Sequence, residues 1–213
     1  MSASTGEGPA LTVALDIRHP LAYLALGPAL ELGRELELAI DWLPLASELL
    51  RRPSTPGPDD DRGVLHRRHR ARMIAREIAV YADAQGLTVK EPYRNGPADA
   101  AHLAWLWMRA HARDALEPFL VEIFRRYWTL ELDAGDAIAV SKVVCACGGD
   151  AADFLAWSAS DGPAALDRVA RELADAGIFT LPAYLVADQV FCGRQHLPMI
   201  RWLLEGRTGP PPI

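Results

Sequence analysis

The segment that most restricts the fold of this chain lies near its C-terminus. A glycine, Gly177, is followed by the X-Pro pair Leu181–Pro182 and by a short apolar run over residues 183–186. A second short apolar run over residues 190–193 leads into an amphipathic stretch over residues 195–205. Two such runs around a tight turn predict an antiparallel hairpin, and the last stretch predicts a terminal helix.

The N-terminal part of the chain predicts the other half of a sheet. Leu11–Ile17 and Leu36–Leu43 are apolar enough for buried strands, and Pro20 fits the first position of a helix between them. The intervening residues are long enough for the helical crossover that parallel strands require. The prediction is therefore an α/β fold with a mixed sheet, parallel at its start and antiparallel at the C-terminal hairpin.

Between these two halves, residues 63–176 have a helical period. Each predicted helix is bounded by glycine, proline or an acidic cap. The predicted helices are Val64–Gln85, Pro97–His111, Asp114–Thr129, Ala134–Cys147, Asp150–Ala159 and Pro163–Ala176. The region is interpreted as a large all-helical insertion into one domain.

Several segments of the sequence resemble those of a known family. They are Asp16–Ala25, Ile40–Leu45, Gly177–Pro182, Phe191–Gly193 and Leu197–Trp202. In order and spacing they resemble 2-hydroxychromene-2-carboxylate isomerases and kappa-class glutathione transferases, which belong to the DsbA-like branch of thioredoxin folds. The resemblance spans about Leu11 to Leu204. It implies a thioredoxin-like domain formed by residues 1–62 and 177–213, with residues 63–176 inserted, and a cis peptide bond before Pro182.

Composition narrows the classes of partner. The formal net charge of −6 disfavours a general nucleic-acid binder, which needs a positive surplus to neutralise phosphates. No stretch approaches the length of a membrane span, and the segment Met1–Gly8 lacks the basic and apolar regions of a secretory signal. Three cysteines without framework spacing fit a reducing compartment. We therefore expect a cytoplasmic protein with a small-molecule substrate, and the resemblance implies a possible homodimer.

His19 is the main departure from the resembling families. At this position, just before Pro20, their oxidoreductase relatives have the first cysteine of Cys-x-x-Cys, and the isomerases and transferases have a serine that contacts the glutathione thiolate. A neutral imidazole can donate one N–H to a thiolate, and an imidazolium can pair with it directly. His19 is therefore the candidate catalytic residue. The alternative is that it caps or packs at the start of the helix.

The resemblance also implies a set of glutathione contacts. The backbone of Leu181, next to Pro182, would pair with the cysteinyl part like an added strand. Arg194 and Gln195 stand where the family has a polar residue and an aspartate for the γ-glutamyl end. Asn95 matches an asparagine that lines the site in the isomerases, although it could equally be a turn or capping residue. These substitutions also fit a related acidic thiol or an acidic substrate without a thiol.

Tyr23, about one turn after His19, could bring its hydroxyl to the substrate pocket.

The helix predicted over Val64–Gln85 is rich in arginine, with two histidines. Its arginines could gather an anionic substrate, but a solvated face with one arginine turned inward is favoured. No metal site is predicted from these histidines.

The cysteines do not predict ordinary dithiol chemistry. Cys145 and Cys147 are two apart in a helical stretch, so they point in different directions. Cys192 follows a strand and is interpreted as a packing residue.

The sequence thus predicts a glutathione-dependent isomerase or transferase acting on an unsaturated aromatic oxo acid through thiolate addition. Two alternatives remain open: a non-catalytic binding protein on the same fold, and an atypical thiol-disulfide oxidoreductase that uses Cys192.

Overall fold

The structure, a computed structural model, describes residues 10–57 and 60–212. Met1–Gly8, which entered the expectation about targeting, lies outside these ranges. Asp59, the first residue of the acidic run that was expected to cap the helix predicted over Val64–Gln85, also lies outside them. Four strands form one sheet in the order β2-β1-β3-β4. They are β1 Leu11–Leu15, β2 Ile40–Pro44, β3 Ala183–Val186 and β4 Gln189–Cys192. β1 pairs parallel with β2 and antiparallel with β3, and β3 pairs antiparallel with β4, so the predicted mixed sheet is confirmed.

Helices make up most of the rest of the described chain. They are α1 Pro20–Glu35, α2 Arg62–Ala84, α3 Asp99–His111, α4 Leu116–Trp128, α5 Ala137–Ala146, α6 Ala151–Ser158, α7 Gly162–Asp175 and α8 Leu197–Leu204. Helix α1 is the crossover between the parallel strands, and α2 to α7 all lie between β2 and β3 in the chain. The predicted helical insertion is therefore confirmed. No helix within residues 10–57 and 60–212 combines the length and hydropathy that a bilayer span needs.

Strand β2 starts four residues later than predicted. The segment Leu36–Leu38 was predicted to be extended, but it forms the C-terminal cap of α1 instead. The Leu38 N–H donates to the Gly33 carbonyl at 2.8 Å, and Glu37 takes a left-handed φ of 52°. This is the Schellman arrangement, which satisfies carbonyls that the last turn of a helix would otherwise leave free. Capping of α1 therefore outweighs the local strand pattern.

The sheet and the inserted helices share one apolar core. Trp42 of β2, Trp105 of α3, Phe124 of α4 and Tyr184 of β3 belong to the same buried cluster. The Trp105 indole Nε1 donates to the Trp42 carbonyl at 3.1 Å, so the cluster also has a polar link between helix and sheet. Each aromatic side chain of this size buries a large apolar area. Because these side chains pack in one cluster, they hold α3 against the sheet.

Candidate active site

The candidate site begins where β1 ends. The strand stops at Leu15, and the His19 N–H donates to the Asp16 carbonyl at 3.0 Å, which turns the chain into α1. His19 is the N-cap residue of α1, and Pro20 occupies the first helical position, where its missing N–H costs nothing. The positive end of the α1 dipole is therefore beside His19.

A cavity of about 770 Å³ opens next to His19. One wall is the irregular loop over residues 47–55, and a second is the first half of α2, from Val64 to Ile74. Phe179, Thr180 and Leu181 form a third part of the lining. A cavity of this volume suits a small organic ligand.

His19 is almost entirely buried, with 7% of its surface exposed. Its Nδ1 has no hydrogen-bond partner among the described residues, and the side chain makes no capping bond to α1. Burial lowers the pKa of the imidazole, and the nearby Asp16 carboxylate opposes this shift only in part. His19 is therefore neutral at neutral pH. The side chain therefore does not cap α1, and a buried ring nitrogen is left without a partner in a residue that lines the cavity.

Asp16 organises the polar groups behind His19. Its fully buried carboxylate accepts hydrogen bonds from the Arg18 guanidinium at 3.1 and 2.9 Å and from the Ser47 N–H at 2.8 Å. His102 Nε2 of α3 lies 3.3 Å from Asp16 Oδ1. Burial alone would raise the pKa of this carboxyl, but His102 and Arg18 hold it well below its usual range. Asp16 is thus an anion that also fixes the start of the 47–55 loop.

Arg68 holds the rest of that loop against α2. Its side chain is buried, and it donates to the carbonyls of Ser54 and Thr55, each at 3.1 Å, and to the Asp60 carboxylate at 2.7 Å. The prediction that one arginine of this helix turns inward is confirmed. Arg68 therefore acts as a structural link between two walls of the cavity.

The Leu181–Pro182 peptide bond is cis. Leu181 lines the cavity together with His19, and the Pro182 carbonyl accepts from the Gly193 N–H at 2.8 Å. No backbone group of the described chain pairs with the amide or carbonyl of Leu181. The backbone of Leu181 is thus unpaired within the described residues, which is one condition for β-augmentation by an extended ligand.

The structure does not bring Arg194, Gln195 or Asn95 to the His19 cavity. The Arg194 guanidinium lies over the Tyr81 ring of α2, 3.1 Å from its centroid. Gln195 folds back and donates to the Cys192 carbonyl at 3.2 Å. Asn95 is exposed and does not cap α3, whose N-cap residue is Ala98. Arg194 and Gln195, which were expected to hold the γ-glutamyl end, therefore contact other groups of the protein, and Asn95 lies outside the cavity lining.

Tyr23 also lies away from His19. It lines a separate cavity of about 440 Å³ with Gln85 and Arg125, and its ring stacks on Phe124 and Trp128. Although Tyr23 is one turn along the same helix, its ring points into the core between α1 and α4. The expectation that Tyr23 reaches the His19 pocket is wrong for this arrangement.

Sequence comparison identifies the family of this fold. The family model described as DSBA-like thioredoxin domain matches residues 34–205. The chain belongs to the DsbA-like thioredoxin family. No curated protein matches the sequence.

Solved structures of other DsbA-like proteins have the same fold. A 2-hydroxychromene-2-carboxylate isomerase superposes with a TM-score of 0.68 at 18% identity, over 93% of this chain and 94% of that one. A probable DsbA oxidoreductase from Streptomyces coelicolor gives 0.66 at 18% identity, over 97% and 94%. The cytosolic disulfide reductase DsbM from Pseudomonas aeruginosa, solved with GSH, gives 0.62 at 16% identity, over 92% and 98%. The relatives thus include both isomerase and oxidoreductase enzymes.

The cysteines of this DsbA-like chain lie apart from the His19 cavity. Cys145 is exposed near the end of α5, and Cys147 is the residue that caps that helix. Cys192 ends β4, paired with Ala183, and is not among the residues that line the cavity. No group of three or more His, Cys, Asp or Glu within the described ranges could hold a metal ion.

Sequence reasoning missed Asp16 and Ser47 as parts of the site. An aspartate at the end of an apolar strand is a usable signal, because a buried carboxylate needs several partners. The partners themselves come from distant positions such as His102, which no local pattern connects to Asp16.

Proposed function

We propose that the protein is a glutathione-dependent enzyme of the isomerase or transferase type that acts on an unsaturated aromatic oxo acid. The observation that carries this proposal is the imidazole of His19, which lines the cavity and has no hydrogen-bond partner among the described side chains. A thiol is a suitable partner for this imidazole, and the unpaired backbone of Leu181 suits the cysteinyl part of the same ligand. The γ-glutamyl end would be held differently from the family pattern, since Arg194 and Gln195 lie elsewhere.

Glutathione, when bound, would supply a thiolate that adds reversibly to the substrate double bond, so that the bond can rotate before elimination restores it. His19, neutral through burial, would accept the thiol proton at its unprotonated ring nitrogen. The Asp16 carboxylate would stabilise the resulting imidazolium. The proton would return to the sulfur when the thiol is released, so that His19 ends each cycle neutral.

A non-catalytic binding protein is the second candidate. The internal contacts of Arg194 and Gln195 favour it, because two expected ligand contacts are absent from the cavity. An oxidoreductase that uses Cys192 is the weaker alternative, since Cys192 does not line the cavity. A Cys192→Ser variant with undiminished disulfide reductase activity would exclude it.

The deciding experiment is a calorimetric titration with reduced glutathione at pH 7, repeated with S-methylglutathione. We expect saturable binding of glutathione that weakens about 10- to 100-fold in His19→Ala, as for loss of a hydrogen bond to a charged group. S-methylglutathione, which has no thiol proton, should bind both proteins with similar affinity. Turnover of unsaturated aromatic oxo acids should fall by about 10²- to 10⁴-fold in the variant.

The matched control is His69→Ala, which removes an exposed histidine of α2 outside the cavity lining. It should leave binding and turnover unchanged. Saturable binding that is equal in wild type and His19→Ala, without turnover, would favour the binding protein. The absence of heat at millimolar glutathione would refute the proposal.

A further inference from the structure

The His19 cavity concentrates positive charge on a chain that is acidic as a whole. The formal net charge of the protein is −6, yet five arginines and only two acidic residues line the cavity. The arginines are Arg51, Arg52, Arg67, Arg68 and Arg70. Clefts lined by one sign of charge raise the local concentration of ligands of the opposite sign.

Three of the five arginines are already engaged by the protein. Arg68 is held by the loop and Asp60, as described above. Arg51 pairs with Glu48 at 2.8 Å, and Arg52 pairs with Glu91. These three arginines therefore contribute little unsatisfied charge to a ligand.

Arg67 and Arg70 differ from the other three. Both side chains are exposed, and neither has an acidic partner within residues 10–57 and 60–212. They are three residues apart on α2, so their Cβ atoms lie about 5–6 Å from each other on one face. Each guanidinium is a planar fork that can bind an oxyanion through two N–H groups. Two such forks side by side match a group with two negative charges better than a single carboxylate.

We infer that Arg67 and Arg70 bind a dianionic group, a phosphate monoester or a pair of carboxylates, on the second substrate of the enzyme. The inference rests on the proposed function, which assigns His19 and Leu181 to the thiol ligand. Apolar side chains of the same cavity, Leu50, Ile74 and Phe179, provide a surface for the carbon skeleton of that substrate. Phe179 is 73% exposed, so its ring is accessible to a ligand in the cavity.

The test measures binding of two small probes, phenyl phosphate and phthalate, by calorimetry at fixed ionic strength, with and without saturating glutathione. The variant Arg67→Gln/Arg70→Gln removes the pair. The matched control is Arg72→Gln/Arg76→Gln, which removes the same charge from exposed positions of the same helix outside the cavity lining. Far-UV circular dichroism verifies that both variants are folded.

We expect at least one probe to bind, with an affinity that falls tenfold or more in Arg67→Gln/Arg70→Gln and changes less than twofold in the control. Tighter binding of phenyl phosphate would identify a phosphorylated substrate, and tighter binding of phthalate a dicarboxylate. Saturating glutathione should leave probe affinity within twofold. Equal losses in both variants, competition with glutathione, or no binding of either probe would each overturn the inference.

The proposed function is tested separately by the His19-dependent glutathione titration. Glutathione binding without probe binding overturns the dianion site alone. Probe binding that depends on Arg67 and Arg70, without glutathione binding, supports an anion site and overturns the glutathione-dependent function.

Discussion

Two neighbouring buried polar residues, Asp16 and His19, have opposite environments. Asp16 has hydrogen-bond partners on both carboxylate oxygens, whereas His19 keeps a buried nitrogen without a partner. A fully satisfied buried group stabilises the fold, and a partnerless one costs stability unless a ligand binds it. Asp16 therefore has a structural role in the site, whereas His19 is available to contact a ligand.

Asp16→Asn tests the structural role of the carboxylate. The substitution keeps the size of the side chain but leaves the partly buried Arg18 charge unbalanced and places an N–H₂ group among donors. We expect unfolding free energy at pH 7, measured in urea, to fall by about 3 kcal/mol. Asp188→Asn, at an exposed position, should change it by less than about 0.5 kcal/mol. A similarly small effect of Asp16→Asn would contradict the assigned role.

His19 predicts a pH dependence of stability. Its folded-state pKa lies below the ordinary value of 6.5, so the unfolded chain takes up a proton first as the pH falls. The folded state is therefore penalised progressively below pH 6.5, and the penalty is absent well above it. The contribution of Asp16 is lost at lower pH, as the pH falls below the unfolded value of 3.8, because its folded pKa is depressed.

His19→Gln should flatten the loss of unfolding free energy between pH 7 and pH 5, since glutamine does not titrate. His69→Gln should retain the wild-type slope, because it leaves His19 in place. Urea denaturation across this range measures both slopes. A slope unchanged by His19→Gln would mean that the imidazole titrates normally in the folded protein.

At the scale of elements, the caps explain why helix positions were predictable. Helix α2 begins after Asp61, whose carboxylate accepts from the Val64 N–H at 2.7 Å, and it ends before Gly86, with a φ of 64°. In the sequence, Asp61 is a helix start signal and Gly86 is a helix stop signal. The start of β2 was misjudged because the left-handed capping residue of α1 is Glu37 rather than glycine. Propensity alone does not reveal such a position.

The N-cap of α5 provides a stability prediction. The Asp136 carboxylate accepts from the N–H groups of Ile138 and Ala139 at 2.8 and 3.2 Å, so Asp136→Ala should destabilise the protein by about 1 kcal/mol. Asp161, at the N-cap of α7, makes no side-chain capping bond. Asp161→Ala should therefore have little effect in the same urea measurement. Equal effects would show that the cost is unrelated to capping.

The candidate site was only partly predictable, because its residues come from three separate regions of the chain. His19 follows β1 and Leu181–Pro182 precedes β3, the neighbouring strand of the sheet, and both His19 and Leu181 line the cavity. The Arg67 and Arg70 face was visible as a charged helix, but its position over the cavity depends on how α2 packs. Tyr23 shows the limit of an argument from helical spacing. It lies one turn after His19 in α1, but its side chain is in the core rather than in the pocket.

At the scale of the whole molecule, the sheet and the helical insertion depend on the same core. The buried cluster runs from Leu11 and Trp42 in the sheet to Trp105 and Phe124 in the helices. Neither part has a complete apolar core without the other. The proposed division at residues 62/63 and 176/177 thus describes chain topology, and it remains a prediction whether the segments have separate stability.

The shared core predicts a single cooperative unfolding transition. Tryptophan fluorescence reports on the aromatic core, and far-UV circular dichroism is dominated by the helices. We expect the two urea curves to coincide within error. Two separated midpoints would show that the helical insertion unfolds independently of the sheet.

The dual contacts of Asp16 have an evolutionary consequence. The same carboxylate fixes the 47–55 loop through Ser47 and faces His19, so selection for a stable fold preserves it even in a lineage that has abandoned catalysis. Retention of Asp16 in homologues is therefore uninformative about activity. The identity of residue 19, whose side chain makes no hydrogen bond that supports the fold, is the feature that would distinguish active from inactive branches.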